Sequence, residues 1–421
     1  MLALLLALGA LGAQAPAGEL VVRDVTVVDT AVGRLVPHRT VLVRGDRIVA
    51  VEEAGGALPD GARVIAGAGR FLVPGLVDAH VHVSERDLPL FLANGVTGVR
   101  ELNGSPTHLA LRARVAAGEL LGPRLAVASP LLAGERQRWR HVLLTDPDAA
   151  MDEAERCAEA GYDALKIYDG LAPEVYEVLA AVAHERGLAL VGHVPERVGL
   201  DGVLAAGQDL EHNEQILRAT LGHALDRAAL PGIAARIAAA KVTVTPTLAA
   251  QEILCQAGDA AYAARLERPE MAYVERDTLG WWQSLRGSGE GGDGPGEYYL
   301  VQAALVKALA DAGVPLLVGT DTPNPLLVPG FALHDELAAL VGAGLTPQAV
   351  LRAATVGAAE HLGWSDQGRI APGLRADLVL VEADPFAELG TLRRPLAVCA
   401  AGRWLERAEL ARLIAPLARG D

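Results

Sequence analysis

Residues 75–82 read Gly75-Leu76-Val77-Asp78-Ala79-His80-Val81-His82. An apolar segment ends here in two imidazoles spaced two residues apart. If Leu72 to Val83 is extended, residues i and i+2 point to the same face. His80 and His82 then present two nitrogen ligands on one side of a strand end, where a metal can sit. Alone, the pair is a weak motif, since two solvated histidines on an edge strand would read the same. Its weight comes from the rest of the chain, which repeats one arrangement: a short apolar strand closing on a ligand-type residue.

Outward from this stretch, short apolar strands alternate with Ala/Leu-rich helices, the β-α repeat of a parallel barrel. Eight strands are predicted, over residues 76–83, 98–102, 124–128, 164–168, 189–193, 209–213, 243–247 and 316–321. Helices are predicted over 148–160, 173–186 and 346–354, the last with Thr346 as N-cap and Pro347 at the first helical position. The fold class expected is α/β, a TIM-like (β/α)8 barrel. Both ends of the chain are instead β-rich, over 19–51 and again over 368–381 and 396–404. They are expected to pair into a small β-sandwich. The division expected is 1–17 leader, 18–72 first sandwich part, 73–367 barrel and 368–421 second sandwich part. The barrel carries an insertion over 251–300, with Trp281-Trp282 and a Gly-rich stretch, which reads equally as a lid or as an idle surface excursion.

Barrels gather catalytic groups at the C-terminal ends of their strands. Those positions hold His80 and His82 on the first strand, Lys166 on the fourth, His193 on the fifth, His212 on the sixth and Asp321 on the eighth. Singly, each has a bland reading: His193 as a satisfied core histidine, His212 or Asp321 as a helix cap. Together, four histidines and an aspartate form a nitrogen-and-oxygen set suited to zinc or a similar divalent metal. Lys166 is the odd member, because an ammonium has donors only and is costly to bury. Burial lowers its pKa and exposes a nucleophilic amine, which CO2 would convert to a carbamate able to hold one metal on each oxygen. A lysine paired with a buried acid is the alternative.

With 421 residues, 51% of them hydrophobic, the chain can bury a large core and is too long for one small domain. A barrel of roughly 250 residues plus a smaller unit fits. The net charge of −15, spread rather than blocked, argues against nucleic acid as a partner. Cys157, Cys255 and Cys399 lie far apart and suggest neither a zinc knuckle nor a disulfide framework. Residues 1–17 read as an export signal, with an apolar run from Leu2 to Leu11 and small-x-small sites at Ala13-Gln14-Ala15 and Ala15-Pro16-Ala17, although no basic residue precedes the run. A periplasmic or extracellular location is expected, and a cytoplasmic one if the run is not a functional signal. The run is too short to span a membrane, and no stable membrane association is expected. A homo-oligomer stays open.

The segment Phe71-Leu72-Val73-Pro74-Gly75-Leu76-Val77-Asp78-Ala79-His80-Val81-His82 closely resembles the first-strand signature of the metal-dependent amidohydrolase superfamily. The tail Gly368-Arg369-Ile370-Ala371-Pro372-Gly373-Leu374-Arg375-Ala376-Asp377-Leu378-Val379 resembles its C-terminal signature. Leu165-Lys166-Ile167-Tyr168, Gly192-His193-Val194, Glu211-His212 and Gly319-Thr320-Asp321-Thr322 look like the imidazolonepropionase-related branch, which includes prolidase-like (Xaa-Pro) dipeptidases and Xaa-Arg/Lys carboxypeptidases. The resemblance implies two divalent metals, zinc foremost. His80, His82 and Asp321 would hold the more buried one, His193 and His212 the other, and Lys166, as N6-carboxylysine, would bridge them. Imidazolonepropionase is similar but uses one metal and no bridging lysine, so Lys166 argues against that assignment.

The expected activity is hydrolysis of an amide or peptide bond in a small molecule, a dipeptide or an N-acyl amino acid, by a hydroxide bridging the two metals. Asp321 would be the catalytic group, taking a proton from that water and returning it to the departing amine. Tyr168 and Arg197 stand where the resembling peptidases bind a substrate carboxylate, and an arginine there can clamp it at two points. A surface arginine before a helix would read the same. The segment that many relatives carry after the third strand is not clear here; only Trp139-Arg140-His141 lies nearby, leaving His141 as the candidate contact. Hydrolysis of a lactone, or of a cyclic amide or another C–N bond, with one metal in place of two, is the alternative within the superfamily. A catalytically dead scaffold would have lost ligands, and none of the six is missing.

Overall fold

The computed structural model describes residues 19–222, 224–255, 260–285 and 296–419. The expected leader and most of the Gly-rich stretch after Leu285 lie outside the described residues. Seven parallel strands run side by side in chain order: Leu76–Val81, Val96–Glu101, Arg124–Ala133, Ala164–Ile167, Ala189–Gly192, Asp209–Glu211 and Val244–Thr245. Leu76–Val81, Val96–Glu101 and Ala164–Ile167 are buried at every position. Helices cover the outside and side chains fill the inside, so such strands are buried on both faces, and their polar residues Asp78, His80, Arg100, Glu101 and Lys166 are buried with them.

The eighth strand differs from its expectation. Residues 316–321 close the ring through single bridges, Leu316 to Val244 on one side and Thr322 to Val81 on the other. Leu317 N donates to Val244 O at 3.0 Å and Ala79 N to Val318 O at 2.8 Å. A regular ladder stops there because the chain turns: Thr320 gives its hydroxyl to Asp78 at 2.8 Å, and Asp321 sits at φ 59, outside the β region. The fifth and sixth strands end at Gly192 and Glu211, one residue before His193 and His212. Each imidazole therefore stands where the backbone leaves its strand.

The helices follow their signals. Pro173–Arg186 runs as expected, Pro147–Ala160 starts one residue earlier, and Thr346 accepts from Ala349 N at 3.2 Å to cap Pro347–Ala353. The two ends of the chain pair into one continuous sheet. Phe71–Pro74 runs antiparallel to Leu378–Val381, with Leu72 opposite Leu380 and Val73 opposite Val379, and parallel to Leu20–Asp29. A second apolar cluster, including Val22, Val41, Ile48, Leu72, Leu378, Cys399 and Trp404, packs this sheet apart from the barrel core. Only Gly75 separates Phe71–Pro74 from the first barrel strand. The histidine-bearing strand is thus anchored in two sheets at once. Burying each of its leucines and valines contributes about 1.5–3 kcal/mol relative to exposure.

Close approach at the eighth strand demands a glycine. A Cβ on Gly319 would stand 2.5 Å from Thr245 Cγ2 and 2.7 Å from His80 Cβ, both on neighbouring strands. Gly319→Ala should therefore lower stability by about 1–3 kcal/mol through overpacking. Thermal denaturation followed by circular dichroism checks it; an unchanged Tm would show that the strands can part without cost.

Candidate metal centre

Asp321 Oδ1 lies 3.2 Å from His80 Nε2 and 3.0 Å from His82 Nε2. The His212 ring centre is 4.7 Å from that of His80 and 5.1 Å from that of His193. One donor atom each from His80, His212 and Asp321 falls within 4.8 Å of the others, a spacing that a metal ion can span. Lys166 Nζ is buried without a hydrogen-bond partner. Burial pulls its amine down to about 8, although Glu211 and Asp321 draw the other way. The His80, His212 and Asp321 donor set fits a divalent ion, and the unpaired Lys166 amine stands beside it.

The backbone at these positions is specialised. His212 and Asp321 both adopt positive φ, 66° and 59°. Aspartate and histidine both tolerate positive φ better than most residues, but His212, at φ 66° and ψ 116°, lies outside the left-handed helical region and is strained. Gly192, just before His193, has φ +145, and a Cβ on it would lie 2.0 Å from Ile167 O of the neighbouring strand. That close approach lets His193 turn in beside the strand bearing Lys166.

Carboxylates fix the imidazoles. Glu211 Oε2 is 2.6 Å from His80 Nδ1, and Asp169 Oδ1 is 3.0 Å from His193 Nδ1. An ionised carboxylate can only accept, so in both rings Nδ1 carries the proton and Nε2 offers its lone pair. His212 Nδ1 lies 2.8 Å from Thr247 Oγ1. Glu101 faces His82 Nδ1 at 3.6 Å and accepts from Asn103 N at 2.7 Å.

The electrostatics follow from burial and these partners. Burial would raise Glu211, yet Arg100 and His80 hold it well below the usual carboxylate range. Arg100 donates to Glu211 Oε1 at 2.6 Å and to Ala79 O at 2.6 Å, and Thr245 donates to the same Oε1 at 3.1 Å. Burial likewise opposes the charge on Asp321, but His80 and His212 keep it well below its ordinary value. His212 is pushed well down by burial, then by His80 and His193, and stays neutral. His82 runs the other way: burial lowers it, but Asp321 and Glu101 together raise it to about 9.

Glu101, Asp169, Glu211, Arg100 and Thr247 are absent from the sequence-derived site. A signal existed, since Glu101 and Glu211 end barrel strands and ligating histidines donate their second nitrogen to such groups. The substrate contacts sort differently. Tyr168 stacks on His193 with ring centres 4.0 Å apart, and burial raises its phenol so that it stays protonated. Arg197 is exposed on the turn after the fifth strand and makes no hydrogen bond or ion pair among the described residues. His141 is engaged within its own loop, with Nδ1 donating to Trp139 O at 2.8 Å and Nε2 accepting from Gln137 N at 3.4 Å.

Glu211→Gln should strip the centre of its orientation. The amide can donate as well as accept, so the His80 tautomer is no longer dictated, and Arg100 loses its buried counter-charge. Metal affinity should fall about 10–100-fold. Competition with a chromogenic chelator measures this; an affinity within twofold of wild type would mean that His80 needs no such partner.

The sequence matches the amidohydrolase family over residues 71–405. Among solved structures, the bottromycin amidohydrolase AH is similar at 29% identity and a TM-score of 0.80, covering 96% of this chain and 90% of that one. A putative prolidase from Bifidobacterium longum is similar at 25% identity and a TM-score of 0.69, covering 96% and 100%. An imidazolonepropionase from Cereibacter sphaeroides (strain KD131 / KCTC 12085) is 28% identical over 84% of this chain and 91% of its own length. With its barrel, its strand-end histidines and a match over most of its length, the chain belongs to the amidohydrolase family.

Proposed function

We propose that this hydrolase cleaves the amide bond of a dipeptide or an N-acyl amino acid, using two zinc ions bridged by carboxylated Lys166. The observation that carries this reading is the Lys166 amine, buried and unpartnered among four histidines and an aspartate. The similarity to a bottromycin amidohydrolase and a putative prolidase supports an amide substrate. His80, His82 and Asp321 would hold one ion, and His193 and His212 the other. When bound, such ions supply Lewis acidity that makes water nucleophilic at neutral pH and polarises a carbonyl.

The rest belongs to the chain. Asp321 takes the proton of the attacking water and delivers it to the departing nitrogen, which must be protonated to leave. Asn324 Nδ2 donates to Asp321 Oδ2 at 2.5 Å, so Oδ1 is the oxygen left facing His80 and His82. Tyr168, protonated and seated on His193, offers a donor to a substrate oxygen. Arg100 and Glu211 sit beneath the histidines and keep their orientation.

A second reading, hydrolysis of a cyclic amide with one metal, draws on the similarity to an imidazolonepropionase. Metal analysis separates the two. Protein loaded with zinc and bicarbonate should hold two ions per chain, and Lys166→Met should hold fewer. One ion per chain in the wild type, whatever the bicarbonate, would favour the cyclic amide.

Asp321→Asn tests the proton path. It should retain metal yet lose turnover by about 10²–10⁴-fold on a panel of dipeptides and N-acyl amino acids. A rate near wild type would remove Asp321 from that role.

A further inference from the structure

One cation outside the centre is stacked rather than paired. Arg138 Cζ lies 4.7 Å from the Trp281 ring centre and 5.1 Å from that of Trp139. Among the described residues Arg138 makes no hydrogen bond or ion pair. In a chain with 52 acidic and 37 basic side chains, acids to pair with are plentiful, and this guanidinium sits on two indoles instead. Arginine suits such a site because its planar face is weakly hydrated and stacks on aromatic rings.

The two sides of the stack come from different parts of the barrel mouth. Arg138 and Trp139 follow the third strand, in a turn held at its roots. Gly134 N donates to Asp169 O at 2.9 Å, and Arg140 donates to the carbonyls of Asn103 and Gly104 at 2.6 and 2.8 Å. Trp281 lies on the helix Arg276–Ser284, within the excursion that leaves the seventh strand. That excursion is pinned on the side of the first and eighth strands. Arg86 donates to Tyr273 O at 2.8 Å, Arg419 to Val274 O at 2.7 Å, and Arg268 pairs with Asp335 at 2.9 Å. The helix thus extends from the first-strand side towards the third-strand side, and the Arg138 stack is its contact there.

We propose that the Trp139–Arg138–Trp281 stack is a specificity-determining wall: it holds the helix Arg276–Ser284 across the mouth and limits the bulk of the acyl group that the centre admits. The consequence for substrates rests on the hydrolase reading above; the contact itself does not. An exposed cation–π contact holds its partners about two- to fivefold more than their absence would. That is enough to bias the helix towards closure and weak enough for a substrate of the right size to pass.

The test combines hydrogen exchange with kinetics on the zinc-loaded full chain. Arg138→Ala and Trp281→Ala should each speed amide exchange in residues 276–285 by about two- to fivefold, and the double variant should be no faster than either single one. Trp281→Phe, which keeps a ring, should restore most of the protection. In both alanine variants the ratio of kcat/KM for a bulky aromatic N-acyl amino acid over its N-acetyl counterpart should rise by a similar factor, through KM, with kcat for the acetyl substrate nearly constant. Unchanged exchange in both single variants, or additive effects in the double, would overturn the contact. Faster exchange with an unaltered ratio would overturn the wall. Should wild-type protein hydrolyse no acyl amino acid at all, the functional reading fails, while the exchange result still decides the contact.

Discussion

The buried carboxylate of Glu211 is the point on which the centre depends. It is fully buried and lies 2.6 Å from both His80 Nδ1 and Arg100 Nη2. Those two residues and Thr245, which shares its oxygen, stand on three other strands. One charge therefore ties the first, second, sixth and seventh strands together inside the barrel. Such a buried ion pair is weak evidence for stability, because an apolar replacement of similar volume is often as stable. What an apolar core could not do is dictate which nitrogen of His80 carries the proton. The network is best understood as orientation of the His80 imidazole, obtained at little net cost in stability because every charge in it has a partner.

Much of this was legible in the sequence, for reasons that differ by element. Ala164–Ile167 betrays itself because both faces of a barrel strand are buried and three of its four residues are apolar, whereas in Val96–Glu101 only the valines carry that signal. His80, His193, His212 and Lys166 stand out because such residues are anomalous at the end of an apolar strand. Their partners do not. An acid at position 101, 169 or 211 is ordinary in itself, and which imidazole it meets depends on pairings across 131 residues for His80 and Glu211. The regular form of the eighth strand was equally hidden. Its ladder is interrupted by the side chain of Asp78, 242 residues away from Thr320.

Lys166 shows where chemistry and folding pull against one another. A fully buried amine raises the free energy of the folded chain unless it is neutralised or bonded. Its neighbours on the strand, Leu165 and Ile167, are buried apolar residues that serve the core, and its own backbone N–H goes to Ser129 Oγ at 2.9 Å. The strand would fold with a smaller apolar residue at position 166. A stored cost of this kind belongs to function rather than to architecture, as the strained backbone at His212 does.

The placement of charge also separates chemistry from selectivity. Glu211 and Arg100 are so deeply buried that parting them would strand a charge in the interior, which holds the inner centre in place. A centre held in this way treats every amide that reaches it alike. Discrimination between substrates must then arise further out, where groups are half-exposed and cheap to move. Tyr168, Arg218, which pairs with Asp169 at 3.1 Å, and the indoles around Arg138 occupy that zone, and there the chain holds its parts with ring contacts and partly exposed pairs. A substitution among those outer residues can redirect specificity without unbalancing a buried charge, whereas no substitution at Glu211 can.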